Sequence, residues 1–71
     1  MKMRQKISRR VALSLDDAVA IVRAYHVYNE LQRDIARRYG ASQSQISRIV
    51  HGDSWPEAYQ IVEREQAEAT S

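Results

Sequence analysis

The chain reads as all-α, a small four-helix domain with helices near 15–28, 30–39, 43–51 and 55–67. Three observations predict this. Apolar residues recur at i, i+3 and i+4 in four successive stretches, the period of a helix that buries one face. A residue suited to a helix start stands before each stretch: Ser14, Asn29, Ser42 and Ser54. Gly40 and Gly52 follow the second and third stretches at once, where a helix end favours a residue free to turn left-handed.

The first thirteen residues, MKMRQKISRRVAL, show no helical stripe and carry Lys2, Arg4, Lys6, Arg9 and Arg10. They are expected to form a flexible basic arm. Two readings of it stay open: a minor-groove or backbone contact on DNA, or a solvated terminus with no fixed partner. Ser14 then caps a helix whose first turn holds Asp16 and Asp17, favourable charges at the positive end of the helix dipole. Ala18, Ile21, Val22, Tyr25 and Tyr28 make its apolar stripe, which Val19 and Val27 widen. This helix is expected to be scaffold, with Tyr25 and Tyr28 in the core.

Asn29 is the expected cap of the second helix, with Gln32 completing a box-like pair. Ile35, Ala36 and Tyr39 share one face, and Leu31 extends it by a turn. Ser42 opens the third helix with Gln45 three residues on, the capping-box spacing. Ile46, Ile49 and Val50 form its inner face. Ser54 and Glu57 repeat the box spacing before the fourth helix, and Pro56 is tolerated in a first turn. Trp55 is expected to cover the end of the core. Trp55, Ala58, Tyr59 and Val62 lie on one side of this helix, and Ile61 falls off that stripe. Residues 68–71 are expected to fray.

The pair of short helices from Gln32 to His51 is similar to the helix-turn-helix of bacterial and phage repressors, including the small phage Cro and lambda-repressor-like proteins. That pattern has a small residue in its first helix and glycine four positions later. Branched apolar residues follow six and nine positions after the glycine. Ala36, Gly40, Ile46 and Ile49 meet all four requirements, and the match covers about twenty residues. The trihelical, homeodomain-like module of recombinases and transposases is the close alternative, with the fourth helix as an extension. No β-ribbon follows the motif, which disfavours a Cro with a sheet-mediated dimer.

The resemblance implies that the second helix of the motif enters the major groove while the first crosses the DNA backbone. Base contacts then fall to Gln43, Ser44 and Ser47, with Arg48 reading a base or holding a phosphate. The side-chain chemistry agrees: Gln pairs with adenine, Arg with guanine, and Ser with either partner type. Ser42 offers a hydroxyl or a backbone N–H to phosphate. Arg33, Arg37 and Arg38 are phosphate-contact candidates. The other reading of those arginines is a solvated face, with Arg37 or Arg38 paired to Asp34.

Charge supports a polyanionic partner. Residues 1–51 hold ten Lys/Arg against four acids, a net of +6, while residues 52–71 hold one arginine against five acids, a net of −4. The basic body suits DNA, and the acidic end should point away from phosphate or serve another contact. A chain of 71 residues has room for one domain and one small core. It has no cysteine, so disulfides and thiolate metal sites are excluded. His26 and His51 stand apart with no ligand set around them. No acid–base pair, glycine-rich phosphate loop or metal cluster points to catalysis, so the expectation is a non-enzyme without cofactor. With neither a membrane-length apolar run nor a signal-peptide pattern, the expected location is the cytoplasm.

The function expected from these residues is sequence-specific binding of double-stranded DNA by a small transcriptional repressor or regulator. Two alternatives share the motif: a DNA-targeting module of a recombination, excision or packaging system, and an antitoxin-like regulator that binds a partner through its acidic last helix. A homodimer on DNA is expected, with Tyr59, Ile61 and Val62 as its contacts, because they offer the only apolar surface not otherwise assigned.

Overall fold

A computed structural model describes residues 13–70. Four helices follow in order: α1 (Leu15–His26), α2 (Gln32–Tyr39), α3 (Gln43–Val50) and α4 (Pro56–Thr70). No strand is present among the described residues. The basic segment 1–12, with Arg4, Lys6, Arg9 and Arg10, lies outside them. Leu13, assigned to that arm by sequence, packs against the core instead.

The helix starts follow local hydrogen bonding. Ser14 Oγ accepts from the Asp17 amide at 3.2 Å, and the Ser14 amide donates back to Asp17 Oδ2 at 3.1 Å. This is a full capping box with Asp in the third position. At α3 only half of the expected box forms: Ser42 Oγ accepts from the Gln45 amide at 3.1 Å. Gly40 takes φ 65°, ψ 30° at the end of α2, the left-handed turn expected there.

Elsewhere the connections differ from expectation. Helix α1 stops at His26, and the chain unwinds as Tyr28 N–H donates to the Arg23 carbonyl and Glu30 N–H to that of Ala24, at 3.2 and 3.0 Å. Asn29 makes the left-handed turn at φ 59° rather than capping α2. Asparagine tolerates that region better than most residues, so it can serve as a turn as readily as a cap. Leu31 becomes the N-cap and makes no side-chain cap bond. Tyr28 and Leu31 are consequently 65% and 54% exposed, outside the core to which their spacing had assigned them. The Ser54–Glu57 box is also replaced. Trp55 sits at φ 55°, and its carbonyl accepts from the Ala58 amide at 2.9 Å as α4 begins at Pro56. Helix α4 continues through Thr70, three residues beyond the end near 67 expected from the sequence.

The core is one cluster to which every helix contributes. Ile21, Val22, Ile35, Ile46, Ile49 and Val50 are fully buried, with Ala18, Ala58 and Val62 closing around them. Each large aliphatic side chain stabilises the fold by about 1.5–3 kcal/mol through burial, an upper figure because the unfolded chain is itself partly collapsed. Ala36, 6% exposed, leaves room for α2 and α3 to approach. Helices α1 and α3 each pack on the other three, whereas α2 and α4 do not meet. Helix α4 runs antiparallel to α1: His26 meets Tyr59, and Arg23, nearly a turn earlier in α1, meets Glu65 further along α4 at 3.0 Å.

Candidate nucleic-acid interface

The α2–Gly40–α3 corner sets the geometry of the candidate site. Ile46, Ile49 and Val50 hold α3 against the core at 0% exposure. Helical periodicity then turns Gln43, Ser44 and Arg48 outward, and all three are exposed. Arg48 has no side-chain partner among the described residues. Ser47 is only half exposed, with its hydroxyl 3.4 Å from His51 Nδ1 and its carbonyl 2.9 Å from the same nitrogen. Of the four side chains assigned to base reading, Ser47 is therefore the least available. Ser42 is exposed, but its oxygen is occupied as the α3 cap.

The arginines of α2 divide into two kinds. Arg33 and Arg37, one turn apart, are exposed on the same flank. Arg37 has no ion-pair partner among the described residues, and Arg33 reaches Asp34 only at 4.0 Å. Arg38 turns away from them. Its Nη1 lies 2.8 Å from Glu30 Oε1, and its guanidinium stands 5.6 Å from the centre of the Tyr39 ring. The hydrogen bond to Glu30 raises the Arg38 pKa further above its already high value. The pairing of Arg37 or Arg38 with Asp34, one of the two readings of this face, does not form.

The starts of α2 and α3 share an open cleft of about 500 Å³, lined by Tyr25, Leu31, Gln32, Arg33 and Gln43. It brings a phosphate-contact candidate, Arg33, next to a base-reading candidate, Gln43. Gln32 and Leu31 in this cleft were assigned by sequence to capping and to the core. Their shared position with Gln43 follows from the corner, which no spacing rule within one helix reports.

The acidic helix lies elsewhere. Because α2 and α4 do not meet, Glu57, Glu63, Glu65 and Glu68 stand apart from the α2 flank that bears Arg33 and Arg37. The proposed dimer contacts also change status. Val62 is 2% exposed inside its own core, and Tyr59 packs on that core with its ring 5.7 Å from His26. These two are not unassigned apolar surface, and Ile61 alone of the three retains an uncommitted partial exposure. Among the described residues no helix is long and apolar enough to cross a membrane. Comparison with protein-family models, with curated proteins and with solved structures finds no match.

Proposed function

We propose that this chain binds double-stranded DNA sequence-specifically and acts as a small transcriptional regulator, with α3 reading the major groove. The observation that carries this reading is the corner itself. A short helix, buried on one side by Ile46, Ile49 and Val50, presents Gln43, Ser44 and Arg48 outward, and the neighbouring helix adds Arg33 and Arg37. Such a surface offers amide, hydroxyl and guanidinium groups to base edges, flanked by cations for phosphate. The acidic α4 does not meet α2, which keeps its carboxylates apart from the Arg33 and Arg37 flank. The function so read uses no cofactor and no catalysis. Phosphate neutralisation supplies affinity and α3 supplies discrimination.

One corner touches a single short half-site. Two copies related by a two-fold axis would read half-sites about 34–36 Å apart on one face of the duplex, so we propose a homodimer on DNA. Selection of bound sequences from a random duplex pool tests the function directly. A two-fold symmetric consensus is expected. Enrichment of no sequence, at a salt concentration where the protein still binds, would remove sequence-specific regulation as its role.

The exposed acids of α4 favour a second reading, an antitoxin-like regulator that holds a basic protein partner through that helix. A stoichiometric basic protein co-purifying with the chain, and released by high salt, distinguishes it from the first.

A further inference from the structure

The last four carbonyls of any helix lack partners within it. In α3 all four are satisfied, and the partners can be named. The Ser47 carbonyl accepts from the His51 amide at 3.1 Å, and that of Ile49 from the Gly52 amide at 3.2 Å. The Arg48 carbonyl accepts from the amides of Asp53 and Ser54 at 2.9 and 3.1 Å. These three are local bonds of the following turn. The fourth is different: the Val50 carbonyl accepts from His26 Nε2–H at 2.6 Å, a bond that crosses from α3 to the last residue of α1. Val50 is itself 0% exposed, and the exposed His26 side chain closes over its carbonyl from the solvent side, so the bond is part-buried. A carbonyl can only accept, which places the proton on Nε2.

The His26 ring is itself held in place. It lies edge-on to Tyr25 at 5.0 Å and to Tyr59 of α4 at 5.7 Å. It therefore joins α1, α3 and α4 at one point. The apolar contacts of Ile46, Ile49 and Val50 set the distance of α3 from the core, but they are non-directional. A hydrogen bond is directional and loses strength steeply with angle. Side chains that read base edges must be held to within about half an ångström to discriminate.

We propose that His26 is a positioning residue for the reading helix: its Nε2–H bond to the Val50 carbonyl fixes the axial and rotational setting of α3 on α1, and thereby where Gln43, Ser44 and Arg48 present themselves. This rests on the DNA-reading function proposed above. His26 itself makes no DNA contact in this scheme.

Two substitutions separate the bond from the bulk. His26→Phe keeps a ring against Tyr25 and Tyr59 but has no donor, and His26→Gln restores an N–H at similar reach. The first measurement is amide hydrogen exchange at His51, Gly52 and Asp53, which needs no DNA. Phe is expected to speed exchange severalfold to about tenfold, the scale of one lost part-buried hydrogen bond, and Gln to restore most of the protection. The second is the ratio of affinities for the selected sequence and for random duplex. Phe is expected to lower that ratio about tenfold while random-duplex affinity stays within about twofold, with Gln recovering it. Unchanged exchange in the Phe variant overturns the clamp whatever DNA does. Faster exchange with an unchanged ratio overturns its positioning role. A native protein with no preference among duplexes overturns the proposed function and the positioning role with it, while exchange still reports whether the bond holds. If the Phe variant is unfolded, the Gln variant decides: a folded protein with the native ratio supports the proposal, and a folded protein with a ratio as low as random binding overturns it.

Discussion

The Arg38 guanidinium lies 2.8 Å from the Glu30 carboxylate, so one of the three α2 arginines is already engaged by an acid of its own chain. Arg38 is exposed and Glu30 half-buried at the surface, so the pair contributes little to folding. Its effect falls on charge near the candidate interface. Arginine is protonated at acid and neutral pH with or without this bond, which raises its pKa further, so such conditions leave that cation unchanged. Glu30→Gln removes the local anion and releases Arg38. Tighter binding to random duplex at low salt is expected, with a log–log salt slope steeper by about one. An unchanged slope in a filter-binding titration would show that Arg38 does not reach phosphate even when freed.

Arg37 is the cleaner phosphate candidate, since it is exposed and has no ion-pair partner among the described residues. Arg37→Ala is expected to weaken binding to all duplex sequences alike and to lower the salt slope by about one. Arg33→Ala should act in the same direction, because its approach to Asp34 at 4.0 Å is too long to hold it. A slope for Arg37→Ala equal to that of the native protein excludes the residue from the backbone contacts.

Reading and folding are separable within α3. Gln43→Ala removes an exposed side chain and is expected to cost about 1–3 kcal/mol of discrimination at one base pair, with the thermal midpoint unmoved. Ile46→Ala empties a fully buried site and is expected to cost about 2–5 kcal/mol of stability, enough to unfold a domain this small. Calorimetry and competition binding on the two variants test the division. Full operator preference retained in the combined Gln43→Ala, Ser44→Ala and Arg48→Ala variant would mean that another surface reads the DNA.

Helix α4 offers a similar contrast for assembly. Val62→Ala should destabilise each chain, because Val62 is 2% exposed within it. Ile61→Glu leaves the core intact. If two copies meet through the outer surface of α4, this variant should sediment as single chains on operator DNA while the native protein binds as two. Two chains bound in both cases would move the dimer contact away from Ile61.

Signals that act within a few residues were legible in the sequence. Gly40 announced the left-handed end of α2, Ser14 and Ser42 announced two helix starts, and Ile46, Ile49 and Val50 announced the buried face of α3. Asn29 and Leu31 depart from their expected roles because asparagine suits both a cap and a left-handed turn. That choice depends on how α1 ends against the remainder of the fold. Tyr28 kept helical spacing past the point where the helix stopped, so its period outlived its structure. At the candidate site, exposure of Gln43, Ser44 and Arg48 followed from periodicity. The pairing of Arg38 with Glu30, the shared cleft of Gln32 and Gln43, and the bond from His26 to Val50 are contacts between segments, which local spacing does not encode.

Trp55, half-buried at the turn from α3 into α4, has an optical consequence. It is the single tryptophan of the chain, so indole emission comes from one known place. That place adjoins the C-terminal end of α3, roughly 12 Å along the helix axis from the end that bears Gln43 and Ser44. Unfolding should redden the emission as the indole enters water. Docking of DNA at the far end of α3 should leave it nearly constant, whereas closure of a second chain over the start of α4 should shift it. One fluorophore thus separates melting, DNA docking and subunit contact without any added label.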